Sequence, residues 1–193
     1  MSAPQLVLAS ASPRRIALLA QIGITPAAII RPTIDEAAER GEKPRTLAFR
    51  LARAKTAAVI MDYPEQFVLA ADTVVAAGRR ILPKTEDAGA ARAALLLLSG
   101  RRHRVITVVV LAAPDGRRAE RICETVVAFV QLSSEQIAAY LESGEWRGKA
   151  GGYAIQGRAA AFVRFLSGSY SNVVGLPLFE TAQLLRGFGW RLP

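Results

Sequence analysis

The chain has 193 residues, and 51% of them are hydrophobic, which is enough to bury a substantial core. This composition excludes a low-complexity disordered chain. The formal net charge of +9 favours a polyanionic partner, either a nucleic acid or a nucleotide polyphosphate. Only four of the basic residues are lysines, and the arginines are spread along the whole chain, so the charge alone does not choose between these partners.

Targeting and redox features point to the cytoplasm. No apolar run approaches the roughly 20 residues that span a bilayer, and residues 1–5 lack the basic start and apolar stretch of a signal peptide. The single cysteine, Cys123, cannot form an internal disulfide, and we predict an ordinary strand residue. Because no repeat or linker interrupts the chain, we expect one domain over residues 1–193.

Hydrophobic periodicity and turn residues predict alternating strands and helices. Ser12 is a predicted N-cap with Pro13 at the first helical position, and residues 133–136 match a capping box. These patterns favour an α/β or α+β class with a mixed sheet. In chain order we predict a strand over 5–9, a helix over 13–22, a strand over 27–30, a helix over 46–61, a strand over 67–75, a helix over 87–98, an antiparallel hairpin of strands 105–112 and 121–132, a helix over 133–141, strands over 153–156 and 161–166, and a helix over 177–186.

A first chemical signal lies at residues 8–15, where a strand leads through a tight turn into a helix. The free N–H groups and the dipole at a helix start favour phosphate. The hydroxyl of Ser10 and the guanidinium groups of Arg14 and Arg15 occur at the same point, and arginine can bind phosphate through two parallel hydrogen bonds. The pattern equally suits an ordinary capped helix with solvated arginines.

Carboxylates and lysines provide the second signal. Asp72 lies late in an apolar run, so we expect it at the carboxyl end of a buried strand, where α/β sheets place their ligands. A carboxylate there could hold a divalent cation or take a proton from water, with Glu36 as a second carboxylate. We place Lys55 at the margin of the apolar stripe of its helix and Lys84 in a loop after the Asp72 strand. Either lysine could simply be solvated.

The third signal is the glycine-rich segment 151–157, which contains Gln156. Glycine permits close approach of the backbone to a ligand, and the amide of Gln156 can read the edge of a base. From spacing alone, a simple turn between strands is favoured. The chain has no GxxxxGK[ST] or GxGxxG motif, and nothing places its one histidine, His103, near a serine nucleophile.

These segments, in this order, resemble the Maf family of nucleoside triphosphate pyrophosphatases over nearly the whole chain. The resemblance implies an α/β fold with a mixed, twisted sheet and flanking helices, in two lobes around a central cleft. It also implies hydrolysis between the α- and β-phosphates, a divalent cation such as Mg²⁺ or Mn²⁺, and a homodimer. The matching segments are 8–15, 71–75, 98–101 with His103, 152–157 and 169–178.

Residue roles follow from the same resemblance. It makes Asp72 the proton acceptor and a metal ligand together with Glu36. One departure is Thr85, which follows Lys84 where the family usually has proline. The implied catalytic residues are Asp72, Glu36, Lys55 and Lys84, and the implied substrate-binding residues are Ser10, Arg14, Arg15, Thr73 and Gln156.

In the family, substrate choice follows the residues at three positions, which in this chain are Arg14, Thr73 and Gln156. The combination is similar to the branch that acts on dTTP and UTP, so the resemblance implies a pyrimidine nucleotide, natural or modified. The remaining alternative is a basic protein that binds nucleic acid or regulates cell division without turnover, and its support is the net charge.

Overall fold

A computed structural model of the protein describes residues 5–190, so the N-terminal residues 1–4, part of the signal-peptide prediction, lie outside it. The strands are β1 (Leu6–Leu8), β2 (Ala28–Ile29), β3 (Phe67–Ala77), β4 (Arg80–Leu82), β5 (Arg102–Ala112), β6 (Arg118–Phe129) and β7 (Val163–Ser167). The helices are α1 (Pro13–Gln21), α2 (Pro44–Ile60), α3 (Ala88–Leu98), α4 (Ser134–Glu142), α5 (Tyr170–Val174) and α6 (Leu178–Gly187). Short 3₁₀ turns cover Ala150–Gly152 and Arg158–Phe162.

The seven strands form one mixed sheet in the order β2-β1-β3-β5-β6-β7, with β4 paired to β3. The pairs β1/β2 and β1/β3 are parallel, while β3/β5, β5/β6 and β6/β7 are antiparallel. The long β-branched runs of β5 and β6 pair over 11 positions, which confirms the predicted hairpin. The predicted fold class, an α/β fold with a mixed sheet and flanking helices, is confirmed.

Apolar side chains cover both faces of the sheet, because successive strand residues point to opposite sides. On one face, Leu69 of β3 belongs to the largest core cluster, which also holds Leu19 of α1, Leu95 of α3 and Leu185 of α6. On the other face, α2 packs against the sheet through two smaller clusters. The centre of β3 is therefore buried from both sides.

Of the two predicted helix caps, the one at Ser133 is confirmed in full and the one at Ser12 only in position. Ser133 caps α4 with a complete capping box, as predicted, and Asp87 caps α3 by accepting from the N–H of Ala90 at 2.7 Å. Ser12 occupies the predicted N-cap position of α1, but its side chain makes no capping hydrogen bond. Cys123 lies in β6, as predicted.

The predicted strand over 153–156 is wrong. Gly151 and Gly152 adopt φ values of 73° and 68°, which turn the chain back before it can extend along the sheet. The free edge of β6 is instead paired by β7, which begins at Val163. Residues 153–157 therefore form a loop, and a loop segment can approach a ligand.

No helix among residues 5–190 is both long enough and apolar enough to cross a membrane.

Candidate active site

The loop between β1 and α1 places three predicted side chains together. Arg15 is buried, and its guanidinium donates from Nη1 to Ser10 Oγ at 3.0 Å and from Nε to the carbonyl of Gly175 at 2.8 Å. Arg14 donates from Nε to the carbonyl of Val174 at 3.1 Å. Burial lowers the pKa of both arginines from the usual value, although the nearby Asp72 acts in the opposite direction on Arg15. Both guanidinium groups are thus held at one end of α1 with donors left over for an anion.

Asp72 lies in the middle of β3, and its predicted position at the end of a strand is wrong. The parallel pairing with β1 ends at Leu69, but β3 continues to Ala77 and turns back into β4. On that side of β3, β1 pairs with residues 67–69 and β4 with residues 75–77, so residues 70–74 have no strand partner there. Asp72 therefore lies at an opening within the sheet, just beyond the end of the parallel pairing.

Lys55 connects the two carboxylates of the site. Its Nζ lies 2.5 Å from Asp72 Oδ1 and 2.6 Å from Glu36 Oε1. Lys84 Nζ lies 2.7 Å from Glu36 Oε2, which extends the network to the exposed rim. The four side chains form one alternating chain of charges, which we call the Lys–carboxylate network: Asp72, Lys55, Glu36 and Lys84.

The position of Lys55 on α2 differs from the predicted margin of the apolar stripe. Its side chain is only 6% exposed, and it lies on the sheet-facing side between Leu51 and Val59, which belong to the two core clusters under α2. The stripe predicted through Leu47, Leu51, Ala54 and Ala58 is correct only in its first half. The buried face continues through Ala52, Lys55 and Val59, whereas Ala58 is exposed. Burial of this cation is possible because its ammonium group is paired with Asp72.

Glu36 is held in its charged form. Partial burial alone would raise the pKa of this carboxyl group, but the hydrogen bonds and charges of Lys55 and Lys84 outweigh burial and lower it to about 2. Glu36 is therefore an anion throughout the neutral range.

Thr73 points to the opposite face of β3 from Asp72. Its hydroxyl accepts from Arg15 Nη2 at 3.2 Å and lies 2.9 Å from Thr107 Oγ1 of β5. Thr107 is itself fully buried, and its hydroxyl lies 3.4 Å from the carbonyl of Asn172. A line of polar groups thus runs from Arg15 across one face of the sheet to α5.

A cleft of about 660 Å³ gathers the predicted site residues. Asp72 is 2% exposed and lies behind Lys55 and not on the cleft wall. Eight of the nine predicted site residues line the cleft directly: Ser10, Arg14, Arg15, Glu36, Lys55, Thr73, Lys84 and Gln156.

Two further cations line the cleft that were not predicted as site residues. Arg31 follows β2, and Lys149 lies in the glycine-rich loop before residues 150–152. Burial lowers the pKa of Lys149, and the nearby charge of Arg14 adds to this effect. The only sequence signal for Lys149 was its place beside the glycines of that loop, while Arg31 had none.

The charge balance indicates what the cleft can hold. Six of its lining residues are arginine or lysine, whereas Glu36 is the one carboxylate among them. Cations in a concave site attract an anion of several charges, and arginine and lysine together are suited to phosphate groups. The cleft can therefore hold a polyphosphate at the arginines and lysines, with Gln156 on its wall to contact an attached group.

The carboxylates of the site are the candidate metal ligands. Among the residues that the structure describes, no group of three or more His, Cys, Asp or Glu side chains could hold an ion by itself. Glu36 and Asp72 nevertheless both approach one point, the position of Lys55 Nζ. Mg²⁺ is commonly bound by one or two carboxylates plus substrate phosphates and water. These two carboxylates therefore fit a cation that binds together with a polyphosphate and replaces the Lys55 ammonium group, which occupies the point between them in this structure.

The fold and the cationic cleft define a class of polyphosphate-binding α/β proteins. Within that class the chain belongs to the Maf family, because the family described as Maf-like protein matches residues 5–188.

The chain is similar to several known proteins. A dTTP/UTP pyrophosphatase from Granulibacter bethesdensis is 61% identical over 200 residues, covering 96% of this chain and 94% of that protein. Proteins of the same name from Rhodospirillum rubrum and Caulobacter vibrioides are 61% and 56% identical, covering 98% and 97% of this chain and 90% and 97% of their own lengths. Among solved structures, a HAM1 protein from Coxiella burnetii matches with a TM-score of 0.49 at 16% identity, covering 96% of this chain and 100% of that chain.

Proposed function

We propose that the protein is a nucleoside triphosphate pyrophosphatase that hydrolyses dTTP and UTP to the monophosphate and pyrophosphate. The observation that carries the proposal is the Lys–carboxylate network beside two anchored arginines in one cleft. Relatives that are more than half identical over nearly their full length bear the name of this activity. Pyrimidine nucleotides with modified bases belong to the same substrate class and are part of the proposal.

Phosphate binding is assigned to four cations that line the cleft: Arg14, Arg15, Lys55 and Lys84. Arg14 and Arg15 lie at the start of α1, where an uncapped helix terminus adds favourable dipole and N–H groups. Lys55 and Lys84 neutralise charge on the other side, and Ser10 lies next to Arg15. Positioning plus charge stabilisation accounts for most of the catalysis in phosphoryl transfer, so these side chains supply the main effect.

Asp72 is the proposed proton acceptor. Lys55 binds its Oδ1, while Oδ2 has no hydrogen-bond partner within residues 5–190 and is free to accept from water. Water attacks the α-phosphorus as its proton passes to Asp72, and a new P–O bond forms in the nucleoside monophosphate. The bond from the α-phosphorus to the bridging oxygen breaks, and pyrophosphate leaves with its charge balanced by lysine and arginine.

A divalent cation, Mg²⁺ or Mn²⁺, is proposed as the cofactor, with Glu36 and Asp72 as its protein ligands. When bound, it draws charge from phosphate oxygens and so makes the phosphorus easier to attack. Glu36 suits this role because it remains ionised at neutral pH.

Base choice is assigned to Gln156, with Arg14 and Thr73 completing the set on the cleft wall. An amide can accept from the N3–H of uracil or thymine and donate to the neighbouring carbonyl oxygen, so one side chain can serve both bases. The homodimer, the cytoplasmic location and the absence of a nucleic-acid partner stay predictions.

Pyrophosphate release across the natural triphosphates, with Mg²⁺ or Mn²⁺, tests the proposal. The products must be identified, because a monophosphate and pyrophosphate indicate attack at the α-phosphorus, whereas a diphosphate and orthophosphate indicate attack at the γ-phosphorus. We expect dTTP and UTP to be the best substrates. Failure to release pyrophosphate from either, together with tight duplex DNA binding that weakens steeply with salt, would favour the nucleic-acid-binding alternative.

A further inference from the structure

The position of the Gln156 side chain in the cleft depends on how firmly its backbone is held. Its side chain is exposed in the cleft wall and makes no hydrogen bond with another described residue. Gln156 lies in the loop where a strand was predicted, so no sheet ladder holds it in place. A base-reading side chain loses much of its selectivity if its position wanders, and something else must therefore fix this loop.

On the N-terminal side of Gln156, the loop is held by Tyr140 of α4. Its ring is buried, and its hydroxyl accepts from the backbone N–H of Ala154 at 3.0 Å. The ring also meets Phe162 edge to face, with centroids 5.4 Å apart. Tyr140 thus connects α4 to the loop two residues before Gln156.

On the C-terminal side of Gln156, the loop is held by Glu145. Its Oε2 accepts from the backbone N–H of Arg158 at 2.8 Å, two residues after Gln156. The carboxylate reaches this N–H because Gly157 has no side chain, and a methyl group there would overlap the carboxylate. Gly157 has an ordinary extended conformation, so its importance here lies in the space that it leaves and not in backbone freedom.

The start of the loop is equally tight. A methyl group on Gly151 would come within 2.8 Å of Val75 Cγ1 in β3, and Tyr153 packs edge to face against Phe129 at 4.9 Å. The loop is thus packed against the sheet at its beginning and hydrogen-bonded on both sides of Gln156.

We propose that Tyr140 and Glu145 are positioning residues for base recognition, because together they hold the backbone on either side of Gln156. This inference rests on the proposed function, in which Gln156 contacts the pyrimidine base. Neither side chain touches the substrate. Their removal weakens binding of the base while binding of the phosphates stays intact.

The experiment compares a substrate that has a base with an anion that has none. Tyr140→Phe and Glu145→Ala each remove one backbone contact, and the KM for UTP is expected to rise about five- to tenfold with kcat little changed. Inorganic tripolyphosphate, used as a competitive inhibitor, reports the phosphate-binding cations alone, and its inhibition constant is expected to stay within about twofold of wild type.

Matched variants separate positioning from general damage. Tyr63→Phe removes a hydroxyl that makes no hydrogen bond with another described residue, and Glu145→Gln keeps an oxygen that can accept from Arg158. Both are expected to keep a near-wild-type KM. Gly157→Ala displaces the Glu145 carboxylate, so its effect and that of Glu145→Ala are expected not to add in the double variant.

The outcomes distinguish a failure of the proposed function from a failure of the positioning role of Tyr140 and Glu145. If wild type does not release pyrophosphate from UTP, the proposed function itself fails. If wild type turns over UTP and the Tyr140 and Glu145 variants keep its KM, the positioning role is wrong while the proposed function stands. A rise in KM for UTP matched by an equal rise in the inhibition constant of tripolyphosphate would also overturn the inference, because it would show loosening of the whole cleft.

Discussion

Lys55 and Asp72 form a buried ion pair, with Nζ 2.5 Å from Oδ1 and side chains only 6% and 3% exposed. Removing water from two charges costs several kcal/mol, and the attraction between them offsets that cost only while both are present. Glu36 shares the same ammonium group at 2.6 Å, so the pair opens toward the cleft on one side. The arrangement places the Asp72 carboxylate inside the sheet, paired with an ammonium group, beside the cleft in which a polyphosphate can bind.

Lys55→Met is expected to destabilise the protein by about 3 kcal/mol, because it leaves the Asp72 carboxylate buried without its partner. In the double variant Lys55→Met/Asp72→Leu, most of this stability is expected to return while activity stays absent. Urea unfolding of both variants measures the effect, with Lys43→Met at an exposed position as the control. Equal stability of the single and double variants would contradict a coupled pair.

Glu36→Gln is expected to weaken binding of Mn²⁺ measured by calorimetry in the presence of a non-hydrolysable UTP analogue. The amide keeps the shape of the side chain but loses the charge that favours a divalent cation. Chelation of divalent cations is likewise expected to stop pyrophosphate release by wild type, and added Mg²⁺ to restore it. Unchanged Mn²⁺ affinity in Glu36→Gln would remove Glu36 from the ligand set.

Thr107→Val is expected to raise the KM for UTP about fivefold, since it removes the hydroxyl that lies 2.9 Å from Thr73 Oγ1. Thr73 would then hold Arg15 less firmly, although Ser10 and Gly175 still bind that guanidinium. Thr107→Ser is expected to restore the wild-type KM.

Thr181→Val serves as the control for Thr107→Val, because Thr181 is another fully buried threonine whose hydroxyl binds the backbone carbonyl of Pro177. The same rise in KM for both valine variants would show a general packing effect.

His103 is expected to make the protein less stable in mild acid. Burial lowers the pKa of His103 from 6.5 to about 4. Between these values the unfolded chain binds more protons at this site than the folded protein does, so stability falls as pH falls from 6.5 to 4. Below pH 4, the stability lost through protonation of His103 reaches about 3 kcal/mol.

His103→Phe tests this assignment, because the variant has no proton to gain at that position. Its free energy of unfolding is expected to be lower at pH 7, where the hydrogen bond to Tyr153 is missing, but to decline less steeply between pH 6.5 and 4. Parallel curves for the two proteins would show that His103 does not titrate in this range.

Sequence patterns predicted the regular elements well where they were long. The β-branched runs of β5 and β6 and the capping box at Ser133 each have one strong physical preference, and the structure follows them. The strand β4 and the 3₁₀ turns were not predicted. The predicted strand over 153–156 failed because two glycines with positive φ override an apolar pattern.

The site was harder to predict from residue spacing. Asp72 was expected at a strand end because sequence cannot show that β1 and β4 leave a gap beside the middle of β3. Gln156 lies 84 positions further along the chain than Asp72, and no local pattern connects them. The family resemblance identified both, whereas Tyr140 and Glu145 gain meaning only from the hydrogen bonds seen in three dimensions.

The rate of pyrophosphate release from UTP by Asp72→Asn tests the central claim most directly, because the amide keeps the size of the side chain but cannot serve as the base. Asp115→Asn, at an exposed turn between β5 and β6, is the matched control. We expect kcat to fall by about 10²- to 10⁴-fold for Asp72→Asn and to stay unchanged for Asp115→Asn. Near-wild-type turnover by a folded Asp72→Asn protein would contradict the account.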